Sequence, residues 1–131
     1  MIPEKAAEYV KVAEQWLDAM EVLHHFGFKP ANPVCFYARQ YAEMMIKAKL
    51  IEMGIVPPHT HDLCALLDYF DDSELIQRAY EHCLILSQYK DAISCSCRGF
   101  VYYSQEEAEE AYNLTLEIPR LIGVYDPKET E

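Results

Sequence analysis

An all-α, up-and-down antiparallel four-helix bundle with one additional short helix is the fold the sequence predicts. Three observations point to it. Four long segments repeat apolar residues at three- and four-residue steps, no segment shows the alternation of a strand, and the connections are short. In the first segment Ala6, Ala7, Val10, Ala13, Trp16, Leu17, Met20 and Leu23 share one face, while Glu8, Lys11, Glu14, Asp18 and Glu21 take the other. This helix should start near Pro3, which a first turn tolerates, and stop near Gly27. Ala31-Asn32-Pro33 reads as a short loop. From Pro33 to about Met53, Val34, Tyr37, Ala38, Tyr41, Met44, Met45, Ala48 and Ile51 form one broad apolar stripe with few polar positions beside it. The second helix should therefore be the most buried, with Gly54 as its stop.

Pro57 and Pro58 keep the next stretch from being helical throughout. Thr60 and Asp62 are the caps expected for the short helix, which carries Leu63, Leu66, Leu67 and Phe70. Asp71-Asp72-Ser73 marks the start of a third long helix to about Ala92, with Leu75, Ile76, Ala79, Cys83, Leu86, Tyr89 and Ile93 at helical spacing. Cys95 to Tyr103 reads as irregular. Ser104 and Glu107 form a Ser-x-x-Glu capping box that opens the last helix, whose core face is Ala108, Ala111, Tyr112, Leu114, Ile118, Leu121 and Ile122. Pro119 inside that pattern should kink the helix or end its regular part. Residues 1–125 then make one domain, and 126–131 a solvated tail.

The chain has 131 residues, 51% hydrophobic and 25% charged, which excludes a disordered polymer and suffices for a core without metal or disulfide. Its longest apolar runs are five residues, against about 20 for a membrane span, and Met1-Ile2-Pro3-Glu4-Lys5 has no secretory pattern. A cytoplasmic location is the expectation. Eleven basic against 22 acidic residues give a net charge of −11, which argues against an extended footprint on nucleic acid and confines any polyanion to a local basic pocket. Five cysteines, an odd number, read as reduced thiols. There is no Gly-rich phosphate loop and no zinc-type spacing of Cys and His pairs, so no cofactor and no metal are implied.

Cys35-Phe36-Tyr37-Ala38-Arg39-Gln40-Tyr41-Ala42-Glu43-Met44-Met45-Ile46-Lys47-Ala48-Lys49-Leu50, followed by Thr60-His61-Asp62-Leu63, resembles a HEPN domain (higher eukaryotes and prokaryotes nucleotide-binding). Gln40, Ala42, Glu43, Lys47, Ala48 and Leu50 match the family's second-helix pattern, and Met44 stands where Lys is common. The likeness runs from Trp16 through Arg98 to the Tyr102-Tyr103-Ser104 approach to the last helix. It implies a homodimeric bundle, often working beside a small nucleotidyltransferase in toxin–antitoxin or related two-component systems, and binding a nucleotide. Some members are metal-independent RNases with Arg, four to six residues, then His. That window holds no His after Arg39, Arg78, Arg98 or Arg120. Arg78 and His82, four apart and so on one helix face, come nearest and are the candidates for a divergent RNase. The plainer reading makes them surface partners of Glu74 and Glu81.

A non-catalytic binding and interaction module is the reading preferred, with Arg39, Lys47, His61 and Arg98 as ligand-binding residues if they converge on a phosphate. Lys47 and Lys49 also suit the end of a helix for reasons of its dipole alone. His59, His61, Asp62 and Cys64 lie within six residues and are metal-capable. Adjacent positions point apart, however, so Asp62 is expected to cap the short helix and His61 to pack on the second. Tyr37, Tyr41, Tyr102 and Tyr103 could stack on a base, though core or dimer packing is the commoner use. Glu106, Glu107, Glu109 and Glu110 suit a helix start and a solvated face.

Overall fold

In the computed structural model, which describes residues 4–91, 95–96 and 99–124, five α-helices form the predicted bundle. They are α1 (Glu4–His24), α2 (Ala31–Glu52), α3 (Leu63–Leu67), α4 (Glu74–Leu86) and α5 (Gln105–Ile122). The side-chain ties between their ends fix the directions. Asn32, at the start of α2, donates from Nδ2 to the Val101 carbonyl at 2.6 Å and accepts from the Tyr103 amide at 2.8 Å, just before α5 begins. At the other end Lys49 Nζ donates to the Gly123 carbonyl at 3.3 Å. Hence α2 and α5 run parallel. Gln105 Nε2 donates to the carbonyl of Gly27, past the end of α1, and Tyr103 Oη donates to the Gln88 carbonyl, past the end of α4, so both of those helices run the opposite way. The alternation down, up, down, up follows in chain order.

α2 lies between α1 and α5 and also touches α3 and α4, while α4 packs on α5. Twelve of its 22 residues are buried, on more than one face, which is why it is the central helix and why its polar positions matter. It starts at Ala31, two residues earlier than expected. Pro33 falls in the first turn, where the amide it lacks has no helical partner anyway. The turn before α2 needs Gly27 at φ +72°, and a Cβ there would stand 3.1 Å from Gln105 Nε2, so the same glycine serves the backbone and the contact with α5.

The third long helix is shorter than its periodicity predicts. α4 ends at Leu86, and the chain continues as a 3₁₀ turn, Ser87–Asp91, with Tyr89 off helical geometry at φ −93°, ψ 18°. Tyr89 is wholly buried, edge-on to Tyr103 at 4.8 Å between ring centres, so tertiary packing of one aromatic ring bends the path that spacing alone would have kept helical. In the stretch expected to be irregular, β1 (Cys95–Ser96) and β2 (Gly99–Phe100) pair antiparallel, Cys95 with Phe100 and Ser96 with Gly99. α5 opens on the predicted capping box: Ser104 Oγ accepts from the Glu107 amide at 3.0 Å, and Glu107 Oε1 accepts from the Ser104 amide at 3.1 Å. It continues through Pro119 to Ile122 and is closed by Gly123 at φ 80°. The buried faces of Ile118, Leu121 and Ile122 keep it helical beyond the proline. Residues 125–131, including the expected tail, lie outside the described residues.

Candidate functional site

The centre of α2 carries a buried carboxylate. Glu43 is 1% exposed and sits one helical turn from Arg39 on one side and one turn from Lys47 on the other. Lys47 Nζ donates to Glu43 Oε2 at 3.0 Å, and Arg39 Nη1 stands 3.7 Å from Oε1. From the loop before α3, His61 donates from Nδ1 to the same carboxylate at 3.0 Å, and its backbone carbonyl accepts from Arg39 Nη2 at 2.5 Å. Asp62 is the N-cap of α3, Oδ1 accepting from the Cys64 and Ala65 amides, and its own amide donates to Thr60 Oγ1 at 3.1 Å. His61 directly precedes this cap, and its ring, largely exposed, reaches α2 through the single contact of Nδ1 with the Glu43 carboxylate.

Of the four residues expected to bind a ligand, Arg39, Lys47 and His61 meet through Glu43. Arg98 lies outside the described residues, and so do Cys97 and Tyr125. Lys47 is buried rather than snorkelling, because the stripe it belongs to is covered on both sides and Glu43 offsets its charge. Glu43 was legible as a family match but not as the hub. Its i−4 and i+4 spacing to two cations was the available signal.

Beside this cluster lies a recess of about 360 Å³, lined by Arg39, His61, Asp62 and Ser87. Two shielded polar atoms on its lining residues, Arg39 Nε and Ser87 Oγ, have no hydrogen-bond partner among the described residues. Each such orphan costs about 1–3 kcal/mol if left unmet. Ser87 is the C-cap of α4, where a hydroxyl ordinarily bonds back to the preceding turn. Nothing in the one-dimensional pattern singled it out.

Arg78 and His82 share a face of α4 as expected, but the partner of His82 is not on that helix. His82 donates from Nε2 to Glu117 Oε2 of α5 at 2.5 Å, and Arg120 Nη2 is 3.7 Å from the other carboxylate oxygen. The His82 hydrogen bond, then its charge and those of Arg120 and Arg78, hold the Glu117 carboxyl below its ordinary range. The surface pairing with Glu74 and Glu81 is replaced by this interhelical contact. Among the described residues no group of three or more His, Cys, Asp or Glu converges as metal ligands, and His59 does not join His61 and Asp62 in one. Of the four tyrosines considered for base stacking, Tyr37 stacks on Trp16 at 5.3 Å, Tyr41 is buried and Tyr103 meets Tyr89, while Tyr102 is exposed. Among the described residues no helix is long and apolar enough to cross a membrane.

A helical bundle whose central helix holds a buried cation–carboxylate–cation run, clasped by a His-Asp segment at the next helix start, defines a compact all-α domain class. The chain belongs to the HEPN family: the family model for the HEPN domain matches residues 6–124. The crystal structure of an archaeal HEPN homologue superposes with a TM-score of 0.70 at 19% identity, covering 90% of this chain and 94% of that one, which establishes the shared fold. No curated protein matches the chain.

Proposed function

We propose that this HEPN domain is a non-catalytic binding and interaction module that acts as a homodimer beside a small nucleotidyltransferase and binds a nucleotide at the face built from Arg39, Lys47 and His61. One observation carries the reading. In a chain of net charge −11, two cations and an imidazole gather on a single buried carboxylate, so the acidic excess of the chain is locally cancelled beside a recess that Asp62 also lines. The family resemblance supports the dimer and the nucleotidyltransferase partner. Calorimetric titration with AMP, ATP and GTP tests the ligand: saturable heat is expected, and its absence for all three removes nucleotide binding. Sedimentation at micromolar concentration should give twice the 15.2 kDa chain mass. Affinity capture from the native cells should recover a nucleotidyltransferase in stoichiometric amount, and recovery of the chain alone would remove that part.

A second reading, a divergent metal-independent RNase, has one feature in its favour. Glu117 orients His82 as a carboxylate orients a general base, with Arg120 Nη2 3.7 Å from the same carboxylate and the charge of Arg78 also acting on it. RNA cleavage by the wild type that disappears in a folded Arg78→Ala variant would favour it. No cleavage by the wild type disposes of it.

A further inference from the structure

We infer that the half-open face shared by α1 and α2 is the surface on which a second copy of this chain docks, helix pair against helix pair. This rests on the reading that the domain is a homodimer and says which residues meet.

Two rows with one repeat make up the face. On α1, Tyr9, Val12, Trp16, Ala19 and Leu23 recur at alternating three- and four-residue steps, and on α2 Pro33, Tyr37, Gln40 and Met44 do the same. Such steps average about 3.5 residues, the spacing of a seam along which one helix packs on another. The bundle does not use these rows up. Val12 is 39% exposed and the other eight residues are half-buried, although α2 is covered on its remaining sides by α1, α5, α3 and α4. Aromatic contact joins the rows into one surface. Trp16 stacks on Tyr37 with ring centres 5.3 Å apart and meets Phe36 edge-on at 6.0 Å.

Charge names the occupant. The chain carries a net −11, and its other solvent faces are acidic: Glu14 and Asp18 on α1, Glu74 and Glu81 on α4, and Glu106, Glu109 and Glu110 on α5. A two-fold contact sets one patch against the same patch, so any of those faces would bring carboxylate against carboxylate. None of the nine residues in the two rows is charged. Lys47, the next step along the α2 row, is buried against Glu43, which offsets its charge. The face thus offers a highly charged partner no counter-charge and offers a second copy no repulsion. The exposed pair Tyr80 and Leu84 on α4 is less suited, because the charges of Asp68 and Asp62 act on Tyr80.

Trp16 is the only tryptophan, so its emission reports on this face in the unaltered chain. One dilution series of the full chain is followed by sedimentation and by fluorescence. Dissociation should shift the Trp16 emission to longer wavelength, as the ring gains water, along the same curve that sedimentation gives. The double variant Val12→Glu, Ala19→Glu should raise the dimer Kd by at least about a hundredfold, since each charge would have to be buried in the contact. Glutamate is a good helix former and neither position is buried, so the variant should fold, as circular dichroism will report. Leu84→Glu should leave the dimer as it is. If the dimer persists at the wild-type Kd in the double variant, or dissociates without moving the Trp16 emission, this face is wrong while the dimer stands. Dissociation by Leu84→Glu alone would place the contact at the α4 surface and overturn the assignment as well. If the wild type stays at 15.2 kDa at every concentration, the dimer and this assignment fall together, and the face is left to a different protein.

Discussion

Glu43 and His61, eighteen residues apart, are joined by a 3.0 Å hydrogen bond from the imidazole Nδ1 to the buried carboxylate, and through it the loop before α3 is latched to the central helix. The latch is doubled by the Arg39 contact with the His61 carbonyl. Position and charge are thus coupled: what neutralises Glu43 also sets where α3 begins.

Glu43→Gln should be strongly destabilising. It leaves Arg39 and Lys47 buried without their counter-charge, and breaking a buried pair from one side costs about 3–5 kcal/mol. Urea denaturation monitored by far-UV circular dichroism should show the midpoint falling with little change in slope. Adding Lys47→Met to the variant should recover part of the loss. A change below about 1 kcal/mol would mean that the cluster is not desolvated as its burial indicates.

Ser104→Ala removes one half of the capping box of α5 and should cost about 1 kcal/mol. Ser104→Thr should keep most of it. Thermal unfolding of the three proteins side by side decides the point, and equal midpoints would contradict the cap's contribution.

Acid should weaken the α4–α5 contact through Glu117. Its carboxyl is held below the ordinary value of 4.5 in the fold, chiefly by the His82 hydrogen bond, so the unfolded chain binds this proton more readily. The stabilisation is then present above about pH 4.5 and is lost as pH falls through the lowered folded value. Glu117→Gln should flatten the stability profile on that acid limb. An unchanged acid limb would show that the contact contributes nothing to folding.

Cys35 and Cys83 should resist alkylation in the folded protein. Burial raises both thiols to about 12, leaving essentially no thiolate at neutral pH, and both are inaccessible. Iodoacetamide at pH 8 followed by peptide mapping should leave both unmodified until denaturant is added. Modification of Cys83 at the rate of a small free thiol would mean that α4 opens far more often than its packing implies.

The four long helices, apart from where α4 ends, and the family are legible in the residues alone. Binary spacing places Leu17, Ala38, Ala79 and Ile118 on buried faces, and the caps at Asp62, Ser73 and Ser104 are local chemistry between residues two or three apart, which needs no tertiary information to be read. The pattern from Gln40 to Leu63 was enough to mark a HEPN domain for the same reason. Helix packing, not spacing, settles that Lys47 is buried, that Arg39, Lys47 and His61 meet at Glu43, that His82 turns to Glu117, and that Ser87 and Arg39 line one recess. Those facts depend on which helices pack together and how each is rotated about its axis. Periodicity marks the face that is buried but not the full set of partners a charged residue finds there: Glu43 has Arg39 and Lys47 one turn away on α2, whereas His61, and Glu117 for His82, come from elements 18 and 35 residues away.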